Sequence, residues 1–110
     1  MDDENLLSNI KGLLIDIDGT LYFKGIPIPR AIETVSTLRD VGLKLLFLTN
    51  TDSKSPRTIL NILLKYGFVI KEKEIYTPII ALKEFLSKYP LKKSYLITTK
   101  EVANVLKEFP

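Results

Sequence analysis

The amino-acid sequence predicts an α/β fold with a parallel sheet flanked by helices, on three observations. The apolar residues 13–17 have the composition of a strand buried on both faces, as in such sheets. Strand-like and helix-like segments then alternate along the chain, which favours strand–helix–strand units. The first strand leads into two carboxylates, Asp16 and Asp18, at the sheet edge where open α/β folds bind their ligands.

The elements that follow this strand keep the alternation. Residues 22–29 contain two prolines and a glycine, so we expect a connecting loop there and no regular helix. A helix is predicted over 30–41 from apolar residues at three-residue steps, and a second buried strand over 43–48. Such a strand–helix–strand unit crosses over right-handedly, so Thr49 should emerge at the same sheet edge as the two carboxylates.

The second half of the chain repeats the pattern. Ser55 and Pro56 are typical of a helix start, and the helix should run to residue 66. Its N-terminus, with Lys54 and Arg57 nearby, could favour a phosphate, although a solvent-facing pair of cations is an equally ordinary interpretation. Four further elements are predicted in order, namely a strand over 75–77, a helix over 79–89, a strand over 94–98 and a helix over 100–109.

Composition bounds the chemistry. A length of 110 residues allows one small domain, or one domain plus part of another. With 45% hydrophobic and 26% charged residues, the chain is typical of globular proteins. It has no cysteine and no histidine, which excludes disulfides, zinc fingers and His-based nucleophilic triads within this sequence. Any metal must therefore be held by oxygen, which favours a hard cation such as Mg²⁺.

The charge is uneven along the chain. Residues 1–52 carry five basic and eight acidic side chains, and residues 53–110 carry eleven and five, for a net charge of +3. The lysines are spread along predicted helices without interleaved aromatic residues, so we expect a solvated surface and no nucleic-acid partner. The acidic start is unlike a signal peptide, and no apolar run reaches the ~20 residues that span a bilayer. We therefore expect a cytoplasmic protein without membrane contact.

Asp16 and Asp18 are the candidate reactive groups. Along a strand they point to one side, whereas Ile17 between them points to the other. Two carboxylates this close need a cation or a shared proton. The competing interpretation is a simple turn, because Asp-Gly pairs are common in turns.

These residues also carry a family resemblance. The run Asp16-x-Asp18-Gly19-Thr20-Leu21 resembles motif I of the haloacid dehalogenase (HAD) phosphohydrolase superfamily. Tyr22 and the later Leu48-Thr49-Asn50-Thr51 are similar to subclass IIA, whose members have a C2-type cap. Beyond residue 51 the chain resembles most the phospholysine/phosphohistidine/pyrophosphate-phosphatase branch. The resemblance extends from about residue 11 to the last residue.

The resemblance implies a HAD-type Rossmann-like three-layer sandwich, present as its first half, followed by the start of an α/β cap. Residues 1–78 would form the N-terminal part of the core domain, and residues 79–110 a linker helix and the opening of the cap. The family's third-motif lysine and late acidic pair have no counterpart here, so the chain resembles an N-terminal portion only. In the family the strand at 13–17 is central, so this chain should expose an unpaired apolar edge and be marginally stable or self-associate.

The resemblance further implies a magnesium-dependent phosphatase that acts on a small phosphorylated metabolite through an aspartyl-phosphate. Asp16 would be the nucleophile and a metal ligand, and Asp18 the general acid and base and a second metal ligand. Thr49, Asn50 and the backbone N–H groups at Ile17 and Asp18 would bind phosphate. We expect very low activity from the 110 residues alone. The alternative is a truncated, non-catalytic protein that binds phosphate or a protein partner. Homo-oligomerisation stays open.

Overall fold

A computed structural model describes residues 8–110, so the acidic start that argued against a signal peptide lies outside the described part. Its elements in chain order are β1 (Gly12–Asp16), β2 (Tyr22–Phe23), β3 (Ile26–Pro27), α1 (Ala31–Asp40), β4 (Lys44–Leu48), α2 (Pro56–Tyr66), a 3₁₀ turn (Glu72–Glu74), β5 (Ile75–Tyr76), α3 (Pro78–Ser87) and α4 (Lys100–Val105). Most predicted helices and strands are present within a residue or two of their expected bounds. No helix in the described range is long and apolar enough to cross a membrane.

The main sheet has three parallel strands in the order β1–β4–β5. Asp16 at the end of β1 lies opposite Leu48, and Leu48 lies opposite Tyr76 in β5. The three strands therefore end level with one another. The predicted α/β class, and the shared edge for Thr49 and the two carboxylates, are confirmed. The loop expected over 22–29 is a short antiparallel hairpin of β2 and β3.

The main hydrophobic core lies between this sheet and the helices that follow its strands. In β4 the buried side chains alternate, Leu45 and Phe47, as expected for one face of a strand. In α2 they recur at helical spacing, Ile59, Leu60 and Leu63. The full buried cluster comprises Ile17, Leu21, Val35, Leu45, Phe47, Ile59, Leu60, Leu63, Phe68, Ile70 and Ile75.

One expectation for β1 is wrong: the strand is not buried on both faces. Leu14 is 72% exposed, and Leu13 and Ile15 are only half-buried. The reason is position in the sheet, since within the described residues β1 pairs with β4 alone and forms an edge. For the part of the chain that the structure describes, the predicted unpaired apolar edge is confirmed.

The ends of α2 follow from its sequence. The Ser55 side chain accepts a hydrogen bond from the Thr58 N–H at 3.2 Å, and Pro56 occupies the first turn, where no N–H is needed. The helix ends at Gly67, whose φ of 104° is a conformation that favours glycine. The N-cap at Ser55 therefore fixes where the loop that begins at Thr49 ends.

A bidentate ion pair joins α1 to the turn before β5. The two Arg39 terminal nitrogens donate to the Glu74 carboxylate at 2.7 and 2.9 Å, and Arg39 Nη2 also donates to the Val69 carbonyl at 2.9 Å. Burial alone would raise the pKa of Glu74, but the hydrogen bonds from Arg39 and the Lys71 N–H lower it overall. This pair fastens the start of β5 to the layer of α1.

Residues 78–110, which we call the C-terminal unit, have a small core of their own. Ile79 in α3 packs with Val102 in α4 and with Leu106. The strand predicted over 94–98 is wrong: these residues form no strand, and Tyr95 and Ile97 are each 91% exposed. An isolated extended segment has no neighbouring strand to pair its backbone groups, so apolar composition alone does not make it a strand. Helix α4 is also shorter than predicted and ends at Val105.

Candidate active site

The end of β1 positions both carboxylates. Ile17 is completely buried, and its N–H donates to the Leu48 carbonyl at 2.9 Å, which continues the sheet by one residue. Asp16 and Asp18 on either side are exposed. The alternation expected from the sequence is therefore present, with the apolar side chain in the core and the two acids at the sheet edge.

A tight turn follows directly and holds Asp18 in place. Gly19 has a φ of 80°, in the left-handed region, and its N–H donates to the Tyr22 carbonyl at 2.8 Å. The Leu21 N–H donates back to the Ile17 carbonyl at 2.9 Å, and the Leu21 side chain is buried. Thr20 Oγ1 lies 3.5 Å from Asp16 Oδ2, at the limit of a hydrogen bond. The turn thus aims the chain away from the sheet immediately after the second acid.

Thr49 meets Asp18 across the sheet edge. The Thr49 hydroxyl donates to Asp18 Oδ2 at 2.7 Å, although the two residues are 31 positions apart. Thr49 is itself buried, and its Oγ1 accepts the Thr51 N–H at 3.1 Å, with the Thr51 hydroxyl 3.0 Å away. The structure therefore brings together the two segments that the sequence singled out.

Tyr22 is a neighbour of Asp18 that the sequence analysis did not include among the site residues. Burial, followed by the proximity of the Asp18 carboxylate, raises the pKa of Tyr22. Its ring lies 5.2 Å from that of Tyr66, centroid to centroid, in a tilted arrangement. The phenol therefore keeps its proton beside the carboxylate. Its position four residues after Asp18, across a glycine turn, was the signal available in the sequence.

The remaining predicted contacts are placed less directly. The Ile17 N–H is engaged in the sheet, so a phosphate contact through that group would need it to exchange partners. Asn50 is exposed next to Thr49 and lies at the same edge.

At the N-terminus of α2, two of the backbone N–H groups that a phosphate could use already donate to groups of the chain itself. The Ser55 N–H donates to Glu101 Oε2 at 2.8 Å, and the Thr58 N–H donates to the Ser55 hydroxyl. Arg57 lies 3.8 Å from the Glu72 carboxylate and both are largely exposed. A carboxylate of the chain itself thus lies at the helix end that could have favoured a phosphate, and the solvent-facing interpretation of Arg57, which the sequence left open, fits the structure better.

The carboxylate oxygens at the sheet edge are ligands of the type that a hard cation binds, but they are fewer than such a cation needs. Asp16 and Asp18 supply oxygen ligands of the type that Mg²⁺ takes. Among residues 8–110, however, no group of three or more acidic residues converges. Further ligands would have to be water, a substrate phosphate or groups from another polypeptide segment, which is common for Mg²⁺ because it retains several waters.

Comparison with known proteins identifies the family. The sequence model of the haloacid dehalogenase-like hydrolases matches residues 13–109. The chain belongs to this family. The phospholysine phosphohistidine inorganic pyrophosphate phosphatase of Rattus norvegicus is 36% identical over 95 residues, which cover 83% of this chain and 35% of that protein. The resemblance to that branch of the HAD phosphatases is thereby confirmed.

Solved structures share the fold. The p-nitrophenyl phosphatase from Archaeoglobus fulgidus superposes with a TM-score of 0.81 at 30% identity, covering 89% of this chain and 38% of that one. The glycerol phosphate phosphatase Rv1692 from Mycobacterium tuberculosis, solved in complex with magnesium, superposes with a TM-score of 0.79 at 26% identity, covering 93% of this HAD chain and 31% of that one. The HAD-type fold is confirmed. This chain spans about two-fifths or less of the proteins it resembles.

Proposed function

We propose that the chain is the N-terminal portion of a magnesium-dependent HAD phosphatase that hydrolyses a small phosphorylated metabolite. The observation that carries this proposal is the meeting of Thr49 with Asp18 at 2.7 Å, beside Asp16 at the end of β1. The relatives with phosphatase names support the reaction class.

In the first half of the proposed reaction, an Asp16 carboxylate oxygen attacks the substrate phosphorus. The bond from phosphorus to the leaving oxygen breaks, and Asp18 donates a proton to that oxygen, so that an aspartyl-phosphate and an alcohol result. The Thr49 hydroxyl, which donates a hydrogen bond to Asp18 in this structure, would donate instead to a phosphoryl oxygen. Asn50 would contact the phosphate beside it. The exposed position of both acids leaves room for a substrate to reach them.

In the second half, water attacks the phosphorus of the aspartyl-phosphate. Asp18 takes a proton from this water, the bond between phosphorus and the Asp16 oxygen breaks, and inorganic phosphate leaves. Bound Mg²⁺, held by Asp16 and by Asp18 through its backbone carbonyl, would neutralise the charge on the phosphoryl oxygens. Burial and the Asp18 carboxylate raise the pKa of Tyr22, so its phenol keeps its proton beside Asp18.

We further propose the division into a core portion, residues 1–78, and a linker helix with the start of a cap, residues 79–110. The separate small cluster of Ile79, Val102 and Leu106 supports this boundary. In this subclass the cap sets the choice of substrate. These 110 residues contain only the proposed start of a cap, so the choice of metabolite depends mostly on the rest of that cap.

A second candidate function is phosphate binding without turnover. It is favoured by the small number of acids at the site, since the described part of the chain brings together no third acidic ligand. An incomplete metal site leaves the charge of the transferring phosphoryl group poorly neutralised, which slows the chemical step more than it weakens binding.

Hydrolysis of an aryl phosphate by the 110-residue chain, with and without Mg²⁺, tests the proposal. We expect slow, magnesium-dependent turnover that is lost in Asp16→Asn and retained in Asp40→Asn, an exposed aspartate at the end of α1. Turnover that survives in Asp16→Asn would show that Asp16 is not the nucleophile. If no variant turns over, NMR shifts of Thr49 and Asn50 on titration with inorganic phosphate would favour the binding function. Rates in the range of typical enzymes, ~1–1000 per second, would show that the site is complete as it stands.

A further inference from the structure

The C-terminal unit is attached to the core through the loop that leads away from the site. This loop, residues 49–55, begins at Thr49 and ends at the N-cap of α2. The Thr99 hydroxyl donates to the Ser53 carbonyl at 3.0 Å, and the Ser55 N–H donates to Glu101 Oε2 at 2.8 Å. The partners are 46 positions apart in both cases, so these contacts join separate parts of the fold.

Glu101 is the centre of this attachment. Its second oxygen, Oε1, accepts the Thr58 hydroxyl at 2.5 Å, so both carboxylate oxygens bind the first turn of α2. Hydrogen bonds to an ionised acceptor are stronger than neutral ones, and a negative charge is favoured at a helix N-terminus. Lys54, next to the helix start, adds further attraction and contributes to lowering the pKa of Glu101.

The opposite end of the same loop is held by the site itself. The Thr49 hydroxyl donates a hydrogen bond to Asp18, and the Thr51 N–H donates one to the Thr49 hydroxyl at 3.1 Å. The loop is therefore held at its start by site residues and at its end by the C-terminal unit. The loop is only seven residues long, so its two points of attachment lie close together along the chain.

We propose that Glu101 is a positioning residue that couples docking of the C-terminal unit to the placement of Thr49 and Asn50 beside Asp18. The hydrogen bonds themselves are independent of any activity, but the importance of Thr49 and Asn50 rests on the function proposed above. Undocking of α4 releases Ser53 and Ser55, lengthens the free part of the loop and loosens the Thr51–Thr49 bond. The segment after α3 thereby acts on the site without contacting a substrate.

Amide hydrogen exchange measured by NMR on the 110-residue chain tests this coupling. In Glu101→Gln, which keeps the size of the side chain and removes its charge, we expect exchange of the Ser55 and Thr51 amides to accelerate by roughly three- to tenfold. The matched control is Glu108→Gln, because Glu108 is an exposed glutamate of the same unit and pairs with Lys83 of α3 at 2.9 Å. The control should leave both amides unchanged.

Faster exchange confined to Ser55, Val102 and Leu106, with the Thr51 amide unchanged, would overturn the proposal and leave Glu101 a merely structural link. Should Glu101→Gln fail to fold, Thr58→Val removes one of the two hydrogen bonds while the Ser55 N–H contact remains. It should accelerate the Thr51 amide by a smaller factor in the same direction, and no change there would equally refute the coupling. Exchange needs no turnover, so a failure of the phosphatase proposal in the Asp16→Asn assay is a separate result.

Discussion

Two apolar segments of this HAD chain, residues 13–17 and 94–98, have similar strand-like sequences and different structures. The first contains β1, in register with β4 over five residue pairs. The second forms no strand, and its side chains Tyr95 and Ile97 extend into solvent. An apolar run therefore indicates which side chains favour burial. A strand also needs a neighbouring strand that pairs with its backbone N–H and C=O groups.

The same contrast separates the two cores. Within residues 8–110, the main cluster contains eleven buried residues from two strands, two helices and the segments between them, whereas the cluster of the C-terminal unit contains three. A residue in the larger cluster is enclosed on every side by groups that cannot readily move. A residue in the smaller one has neighbours that can rearrange or open locally.

The largest effect expected from this contrast is for matched leucine truncations. Leu63→Ala in α2, where the side chain is fully buried, should lower the free energy of unfolding by about 2–5 kcal/mol because it leaves a cavity in the main core. Leu106→Ala, equally buried but in the small cluster, should cost about 2 kcal/mol or less, because the site can collapse. Urea denaturation of both variants against the wild type measures the difference.

In the Leu106 variant, exchange of the α4 amides should accelerate while that of the β4 amides stays slow. Equal losses in the two variants, with both units unfolding together, would contradict the separation of the cores and the domain boundary near residue 78.

The second prediction concerns the free edge of β1. We predict that the chain self-associates through this edge and that Leu14→Lys abolishes the association, because a charge on an exposed edge strand opposes pairing with another copy. The free energy of unfolding should change by no more than about 0.5 kcal/mol, since Leu14 is already exposed. Sedimentation velocity over a range of concentrations measures the association.

Val41→Lys is the control for this edge, because Val41 is comparably exposed but follows α1 and is not in the sheet. It should associate as the wild type does. A wild-type chain that stays monomeric at all concentrations and melts cooperatively would show that the exposed edge is no liability.

The third prediction concerns acid. Hydrogen bonds from the Thr58 hydroxyl and the Ser55 N–H, together with the charge of Lys54, lower the pKa of Glu101 below its ordinary value of 4.5. A group whose folded pKa is lowered stabilises the fold fully above its unfolded pKa, and this contribution is lost as the pH falls through the folded value. The attachment of the C-terminal unit should thus persist at neutral pH and weaken below 4.5.

The chemical shift of the Ser55 amide, followed by NMR from pH 7 downward, reports this loss. The transition should fall below pH 4.5 and be absent in Glu101→Gln. The Arg39–Glu74 pair, which joins α1 to the turn before β5, should weaken with acid in the same direction, because the pKa of Glu74 is also lowered. A Ser55 transition that persists in Glu101→Gln would assign the acid response to another group.

The smallest effect is expected in the segment that does not become a strand. Ile97→Thr should change the free energy of unfolding by no more than about 0.5 kcal/mol, because the isoleucine is 91% exposed and buries little surface. Urea denaturation measures it. A loss of 1 kcal/mol or more would mean that residues 94–98 pack against something in solution, and the difference from β1 would then be smaller than the structure indicates.

The sequence by itself determined what depends on local pattern. Alternation along a strand placed Ile17 inward with Asp16 and Asp18 outward, and Ser55 with Pro56 defined the start of α2. The convergence of Thr49 on the carboxylates was also predictable, because one crossover brings the ends of two parallel strands to the same edge. The meeting of Thr49 with the two carboxylates could therefore be predicted from the sequence, whereas the neighbouring Tyr22 was missed.

Only the tertiary structure decided matters that depend on which neighbours are present. The exposure of Leu14 follows from the position of β1 at the edge of the sheet, and the absence of a strand over 94–98 from the lack of a partner. The Glu101 carboxylate accepts a hydrogen bond at the N-terminus of α2 from Ser55, which is 46 positions away in the sequence. From the sequence alone, a phosphate could have bound at this helix end. Periodicity is a property of adjacent residues, whereas pairing, burial and capping at a distance are properties of the folded chain.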